Sequence, residues 1–158
     1  MSARPLWRVF SQVVAFKPLT LVLLRLATWV DRPLMRMSGG RLRLSFVVPM
    51  VLITCTGARS GRKRDVPLLC VPQAPCLLVI ASNGGQRKPP AWCYNLRATP
   101  QVKTRFGGHE QNMTARELEG CEYTHAWLKA VDAYPGYTTY QQRAGRRIPL
   151  FMLEPDGR

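Results

Sequence analysis

From residue 42 onward, the apolar residues come in short runs bounded by Gly, Pro or polar turns, which is typical of β-strands. The predicted strands cover residues 42–48, 50–54, 66–71, 76–81, 101–106, 111–118 and 149–153. Two predicted helices interrupt them, at residues 90–98 and 121–133. Consecutive antiparallel strands that close on themselves form a small barrel, so the pattern predicts a mainly β protein with helices, of the α+β class.

The first 40 residues have helical periodicity instead. Apolar side chains recur at helical spacing in residues 5–16, and a second apolar stripe in residues 19–30 lies opposite a face that carries arginines. No uncharged apolar run there reaches the ~20 residues needed to cross a bilayer. We therefore divide the chain into a segment of amphipathic helices at 1–40 and one domain at 41–158, as the length of 158 residues allows.

The net charge of +14 is concentrated in the first two thirds of the chain. Residues 1–109 contain 17 Lys and Arg against only Asp31 and Asp65. A positive face attracts nucleic acid, an acidic membrane leaflet or an acidic cofactor, and composition alone does not choose among them. For the N-terminal helices two interpretations stay open: they lie on an anionic membrane surface, or they pack on the domain and point their arginines at water.

The five cysteines are an odd number without C-x-x-C spacing. This argues against a disulfide framework and against a zinc site, and it predicts a reduced, cytoplasmic protein. Only His109 and His125 could supply imidazole, and neither is near a cysteine in sequence, so no metal site is predicted.

Residues 54–68 contain a turn, punctuated by Gly57 and Gly61, that joins two predicted strands. Four basic residues lie in or beside it: Arg59, Arg62, Lys63 and Arg64. Exposed backbone N–H groups beside cationic side chains bind phosphate or carboxylate oxygens. On composition alone, an anion site and a solvated basic hairpin are equally good interpretations.

Three further motifs follow in order, at residues 81–85, 90–100 and 134–140. Together with the basic turn they resemble the deazaflavin-dependent nitroreductase family of split-barrel oxidoreductases, whose cofactor is coenzyme F420, an 8-hydroxy-5-deazaflavin with an acidic tail. The likeness runs from about residue 41 to 155, and the first 40 residues match only loosely. It implies a split β-barrel of the FMN-binding type for the domain at 41–158.

The resemblance also implies where the cofactor binds. The basic turn would hold the phosphate and acidic tail, with Arg59 and Arg64 at the family's basic positions and Ala58 where a first Arg is common. Cys93 departs from the usual Tyr. The implied cofactor-binding residues are Gly57, Ala58, Arg59, Ser60, Gly61, Arg64, Leu68, Leu69, Cys70, Ala81, Ser82, Asn83, Ala91, Trp92 and Asn95.

The implied catalytic residues are Ser82 and the triplet Tyr134, Tyr137 and Tyr140, which repeats every third residue and so aligns its rings on one face of a helical turn. By resemblance the tyrosines cover the substrate side of the cofactor, and Tyr137 hydrogen-bonds the acceptor oxygen. From the residues alone, Trp92 and the three tyrosines are better explained as structural aromatics.

A deazaflavin passes only a hydride efficiently, so catalysis needs positioning, a dry cavity and a donor to the oxygen that gains charge. We therefore expect a reductase that transfers a hydride from reduced F420 to a hydrophobic, electron-poor acceptor. A quinone is the expected class, with nitroaromatic reduction as a side activity. The alternative is a non-catalytic basic protein for anionic lipid, nucleic acid or another cofactor; its aromatics do not interleave with basic clusters as nucleic-acid stacking requires. Peripheral contact with the inner face of the cell membrane stays open.

Overall fold

The computed structural model describes residues 49–157. Its elements in chain order are β1 (Met50–Thr56), β2 (Lys63–Gln73), β3 (Cys76–Ile80), a short 3₁₀ turn (Asn83–Gly85), α1 (Ala91–Ala98), β4 (Gln101–Phe106), β5 (His109–Glu117), α2 (Gly120–Ala133), α3 (Gly136–Ala144) and β6 (Leu150–Pro155). The predicted strand at 42–48 and the predicted helices within 1–40 lie outside the described residues.

The strands form a closed barrel in the order β1-β2-β3-β6-β5-β4, and every neighbouring pair is antiparallel. The pairing of β1 with β4, at Leu52 opposite Arg105, closes the ring. The predicted α+β class and the barrel are confirmed. Because every strand has two neighbours, the sheet has no free edge.

Alternate residues of the strands fill the barrel. On β1, Val51, Ile53 and Cys55 point inward and are fully buried, where they meet residues such as Val79 and Phe151 from the opposite side. This alternation follows from the two-residue period of a strand. The interior is therefore packed with side chains, and binding surfaces must lie at its ends or outside.

Helices α2 and α3 cover part of the outer surface. Their buried side chains pack in one cluster with Leu78, Ile80 and Leu150, which lie on the opposite face of β3 and β6 from the barrel core. Tyr123, Ala126 and Ala130 are the buried members from α2, and the α3 tyrosines complete the cluster. No helix within residues 49–157 has both the length and the apolar character that crossing a bilayer requires.

Candidate active site

The basic loop, residues 57–64, comprises a tight turn between β1 and β2 and the first two residues of β2. The Gly57 N–H donates to the Arg62 carbonyl at 2.9 Å, and the Gly61 N–H donates to the Gly57 carbonyl at 2.8 Å. A Cβ at Gly57 would lie 2.7 Å from Ser60 Oγ, and Gly61 has a φ of +63°, in the left-handed region that favours glycine. Both glycines are therefore required by the shape of the loop.

The basic side chains around this loop take part in none of the ion pairs seen between residues 49–157. All four are exposed: Arg59, Arg62, Lys63 and Arg64. Their side-chain bonds in this region are to hydroxyls: Arg64 Nη2 donates to Ser60 Oγ at 3.4 Å and Lys63 Nζ donates to Thr56 Oγ1 at 3.2 Å. By contrast, Arg97, Lys103, Arg105 and Arg116 each form an ion pair at 2.6 or 2.7 Å. Exposed cations beside a tight turn, without an ion pair to another described residue, suit an anionic ligand.

Asn95 on α1 connects the basic loop to the barrel by two hydrogen bonds. Its Oδ1 accepts a hydrogen bond from the backbone N–H of Ala58 at 3.0 Å, and its Nδ2 donates to Cys55 Sγ at 3.7 Å. The side chain is 8% exposed. Burial raises the pKa of the Cys55 thiol, against a lowering by the Asn95 hydrogen bond. Asn95 thus positions the loop through its own amide.

The remaining residues of α1 divide between core and surface. Trp92 is 6% exposed, and its ring meets Phe151 edge to face at a centroid distance of 5.8 Å. Cys93 is fully buried, and burial raises the pKa of its thiol to about 11, so it is neutral at physiological pH. Ala91 is exposed at the start of the helix. Ala91 therefore faces outward at the start of the helix, whereas the Trp92 ring faces the core.

Strands β2 and β3 present backbone rather than side chains at the predicted cofactor positions. Leu68 and Cys70 point into the barrel core, whereas Leu69 packs on the outer face against Met50 and Leu52. Ala81 is fully buried just after β3, and its N–H donates to the Pro149 carbonyl at 2.9 Å.

Ser82 and Asn83 are partly exposed in the turn that follows β3, which we call the Ser82 turn (residues 81–87). Asn83 has a φ of +49°, and its Nδ2 donates to Gln86 Oε1 at 3.2 Å and to the Lys88 carbonyl at 3.0 Å. These bonds hold a conformation that is unfavourable for most side chains.

Arg146, which is not among the predicted site residues, holds the Ser82 turn by hydrogen bonds to its backbone. Its guanidinium donates to the carbonyls of Arg87 at 2.8 Å, Gln86 at 3.2 Å and Ala81 at 3.5 Å. Burial lowers the pKa of Arg146. No local signal in the sequence could have found this role, because the bonded residues are about 60 positions away.

The three tyrosines form one aromatic cluster, which we call the tyrosine cluster. The ring centroids of Tyr134 and Tyr137 are 5.1 Å apart, those of Tyr134 and Tyr140 are 5.9 Å apart, and those of Tyr137 and Tyr140 are 6.2 Å apart. The hydroxyls of Tyr134 and Tyr140 lie 3.2 Å from each other. Burial raises the pKa of Tyr134 and of Tyr137, so both phenols keep their proton at physiological pH. Tyr134 and Tyr137 can therefore donate hydrogen bonds but cannot act as bases there.

The Ser82 turn and helix α3 are in direct contact. A Cβ at Gly85 would lie 3.0 Å from the Tyr140 carbonyl oxygen and 3.1 Å from Arg143 Cβ, so only a glycine allows this approach. Gly85 also has a φ of +80°. The fold thereby brings Ser82 and the tyrosine cluster, more than 50 residues apart in sequence, into one region.

An open groove of about 870 Å³ lies on the outer face of β1, β2 and β4. It shares Lys63 and Arg64 with the basic loop and includes Lys103 and Arg105, but none of the three tyrosines. It is therefore separate from the aromatic region. Within the described part of the chain no group of three or more His, Cys, Asp or Glu could hold a metal ion, and all five cysteines are free thiols.

Comparison with known proteins identifies a family to which the chain is similar. A family model described as F420H(2)-dependent quinone reductase matches residues 23–155. The chain is 30% identical to an F420H(2)-dependent quinone reductase of Mycobacterium tuberculosis strain H37Rv over 123 residues, which cover 75% of this chain and 83% of that protein.

Two solved structures are also similar to this chain in sequence and fold. One described as an F420-H2 dependent reductase (FDR-A) is 47% identical, has a TM-score of 0.63 and covers 67% of this chain and 94% of its own. Another, described as a domain-swapped dimer, is 42% identical, has a TM-score of 0.65 and covers 80% of this chain and 97% of its own.

Proposed function

The chain belongs to the F420H(2)-dependent quinone reductase family, and from this premise we propose the residues with which it reduces a quinone-like acceptor. It is a split-barrel oxidoreductase and its cofactor is coenzyme F420. The family assignment gives no support to a non-catalytic basic binding protein. The observation that carries the assignment of residues is the basic loop, whose cations take part in none of the ion pairs seen between residues 49–157.

The residues present fit this cofactor. A phosphate and an acidic tail require concentrated positive charge, and the basic loop supplies four cations beside a turn that two glycines hold tight. When bound, reduced F420 supplies one hydride and one proton, which together convert a quinone to a hydroquinone. In our proposal Arg59 and Arg64 bind the tail, and Lys63 and Arg62 add to the field around it.

The ring system would lie against backbone. Leu68, Leu69 and Cys70 turn their side chains into the core or to the opposite face of the sheet. The pairing of β2 with β3 begins at Cys70, so the backbone of Leu68 and Leu69 on the β3 side remains for contact. Ser82 and Asn83 would approach from the Ser82 turn, and Arg146 keeps that turn in place. Asn95 would act through the loop that it holds, and Trp92 would support the ring from the core.

The tyrosine cluster would form the acceptor side of the site. Tyr137 is buried and protonated, and its hydroxyl would donate to the acceptor oxygen as negative charge develops there, together with Ser82. Tyr134 and Tyr140, whose hydroxyls contact each other, would shape the aromatic wall. An aromatic, largely dry wall suits a planar quinone, and it would admit a nitroaromatic acceptor as a side activity.

For the N-terminal segment we propose peripheral contact with an anionic membrane at the inner face of the cell membrane. The support is the sequence of residues 1–48, which contains eight Lys and Arg, one Asp and five Trp and Phe before the described region. The enzyme would then have access to a hydrophobic quinone at the membrane surface.

Titration of the ligand-free protein with F420, followed by tryptophan fluorescence, tests the proposed site. We expect binding at micromolar concentration or tighter, about −8 kcal/mol. Trp92 should report it, so Trp127→Phe should retain the quenching and Trp92→Phe should lose most of it. Oxidation of reduced F420 by menadione, a short naphthoquinone, is then followed by absorbance. Absence of both binding and oxidation, with tight binding to lipid vesicles or DNA instead, would overturn the proposal.

A further inference from the structure

We propose that Arg143 is a further acceptor-binding residue, whose Nη1 donates a hydrogen bond to an oxygen of the bound quinone-like acceptor. This inference rests on the proposed function and adds a residue to it.

Among the buried side-chain nitrogen and oxygen atoms of residues 49–157, Arg143 Nη1 is the one without a hydrogen-bond partner. Buried polar atoms are almost always paired, since an unpaired buried donor loses its bonds to water without replacement. An orphaned guanidinium nitrogen therefore needs an explanation. A ligand oxygen that occupies the site during turnover would provide it.

The guanidinium groups of the two neighbouring arginines, Arg146 and Arg147, do have contacts within the protein. The Arg146 guanidinium is engaged with backbone carbonyls of the Ser82 turn. The Arg147 guanidinium carbon lies 3.5 Å from the centroid of the Tyr123 ring, which is a cation–π contact. Each has a role inside the protein, whereas Arg143 offers a buried N–H group that is not used within the described residues.

The position of Arg143 points to the acceptor. It follows Tyr140 by three residues on α3, so the two share a helix face. Its Cβ lies 3.1 Å from where a Cβ of Gly85 would be, in the Ser82 turn. Its positive charge also opposes the rise that burial and Tyr140 cause in the pKa of Tyr134. The side chain thus has the Ser82 turn on one side and the tyrosine cluster within electrostatic reach.

The chemistry of this position favours a quinone oxygen over the acidic tail of the cofactor. The tail-binding cations lie on the basic loop, which is hydrogen-bonded to α1, whereas Arg143 lies on α3 beside the Ser82 turn. A hydride brings two electrons and one proton to the quinone and leaves a monoanion, which then takes up the proton released when the coenzyme is oxidised. A fixed guanidinium N–H stabilises that developing oxyanion more than it stabilises the neutral quinone.

The test is Arg143→Met, which keeps a long side chain and removes the unpaired donor. We expect kcat/KM for menadione to fall about tenfold to a hundredfold, as for loss of a charge-assisted hydrogen bond. The Kd for F420 should be unchanged. The Tm of the ligand-free protein should stay the same or rise, because a buried unpaired group is removed. The matched control is Arg147→Met, which should lower the Tm by removing the contact with Tyr123 and should retain kcat/KM.

Calorimetric binding of menadione to wild type and Arg143→Met, with and without oxidised F420, gives a readout independent of turnover. Weaker binding to the variant supports the inference, and equal binding overturns it. A lower Tm with unchanged kcat/KM would make Arg143 a structural residue, and a weaker Kd for F420 with unchanged menadione binding would assign it to the cofactor; both results overturn the inference. Failure of the proposed function is distinguishable, since wild type itself would then not bind F420.

Discussion

The Asn95 carboxamide accepts a hydrogen bond from the backbone N–H of Ala58 at 3.0 Å, across 37 residues of sequence. Through the same side chain, Nδ2 reaches Cys55 at the end of β1. Helix α1, the barrel and the basic loop therefore meet at one buried amide. The loop that we assign to the acidic tail of the cofactor is held by this amide at Ala58, close to Arg59.

Asn95→Ala should loosen the basic loop. Loss of the bond to Ala58 should cost about 1 kcal/mol of stability, and the affinity for F420 should fall severalfold because the loop must be ordered on binding. Thermal unfolding and fluorescence titration measure the two effects. Tyr94→Ala is the matched control, since Tyr94 is on the same helix and 47% exposed. A lower Tm with wild-type affinity would confine Asn95 to a structural role.

Arg59→Gln or Arg64→Gln should weaken cofactor binding more than it slows turnover at saturation, because both residues are assigned to the tail and not to the ring. A charge-assisted hydrogen bond contributes ~1.5 to 3 kcal/mol, so affinity should fall about tenfold to a hundredfold. Lys129→Gln, an exposed cation on α2, is the control and should bind normally. If both arginine variants keep wild-type affinity, the tail binds elsewhere.

Much of the barrel could be predicted from local patterns. Strand β4 has the bounds that the alternation indicated, since the exposed residues Gln101 and Lys103 alternate with the buried residues Val102 and Thr104. Strand β2 begins three residues earlier than predicted. Its first residues, Lys63 to Asp65, are charged and carry no apolar signal, yet they pair with the end of β1.

Other features depend on contacts that no local pattern encodes. Helix α3 was expected only as a helical turn, because aromatic and β-branched residues such as Tyr137 and Thr138 are modest helix formers. It is a nine-residue helix whose tyrosines are buried against Leu78 and Ile80. The hydrogen bonds from Arg146 to the Ser82 turn likewise form only because the fold brings together residues about 60 positions apart.

The basic N-terminal segment should bring the enzyme to anionic vesicles, and salt should weaken the binding. Sedimentation of full-length protein and of a variant lacking residues 1–38 with phosphatidylglycerol vesicles measures it. Full-length protein should pellet and the shortened variant should remain in the supernatant. Equal pelleting of the two would exclude this segment as the anchor.

The stability of the protein should fall as the pH rises above about 10, partly because of Tyr134. Burial raises the pKa of this phenol in the folded state above its ordinary value of 10.0, so the unfolded chain releases the proton first. The contribution is fully present below pH 10 and is lost at higher pH. Denaturant unfolding between about pH 8 and 11 should give a shallower decline for Tyr134→Phe than for wild type. Parallel declines would contradict the effect of burial on this residue.

Tyr137→Phe should retain F420 binding and lose rate. The phenylalanine ring still fills the place between Tyr134 and Tyr140. The hydroxyl to which we assign the stabilisation of developing charge on the acceptor is gone. Loss of one oxyanion donor can cost on the order of a hundredfold in rate; because Ser82 or water can partly replace it, we expect about tenfold. Steady-state rates with menadione and with a nitroaromatic, at saturating reduced F420, measure the loss. Wild-type rates with both acceptors would make Tyr137 a packing residue and would move the donor to Ser82 or Arg143.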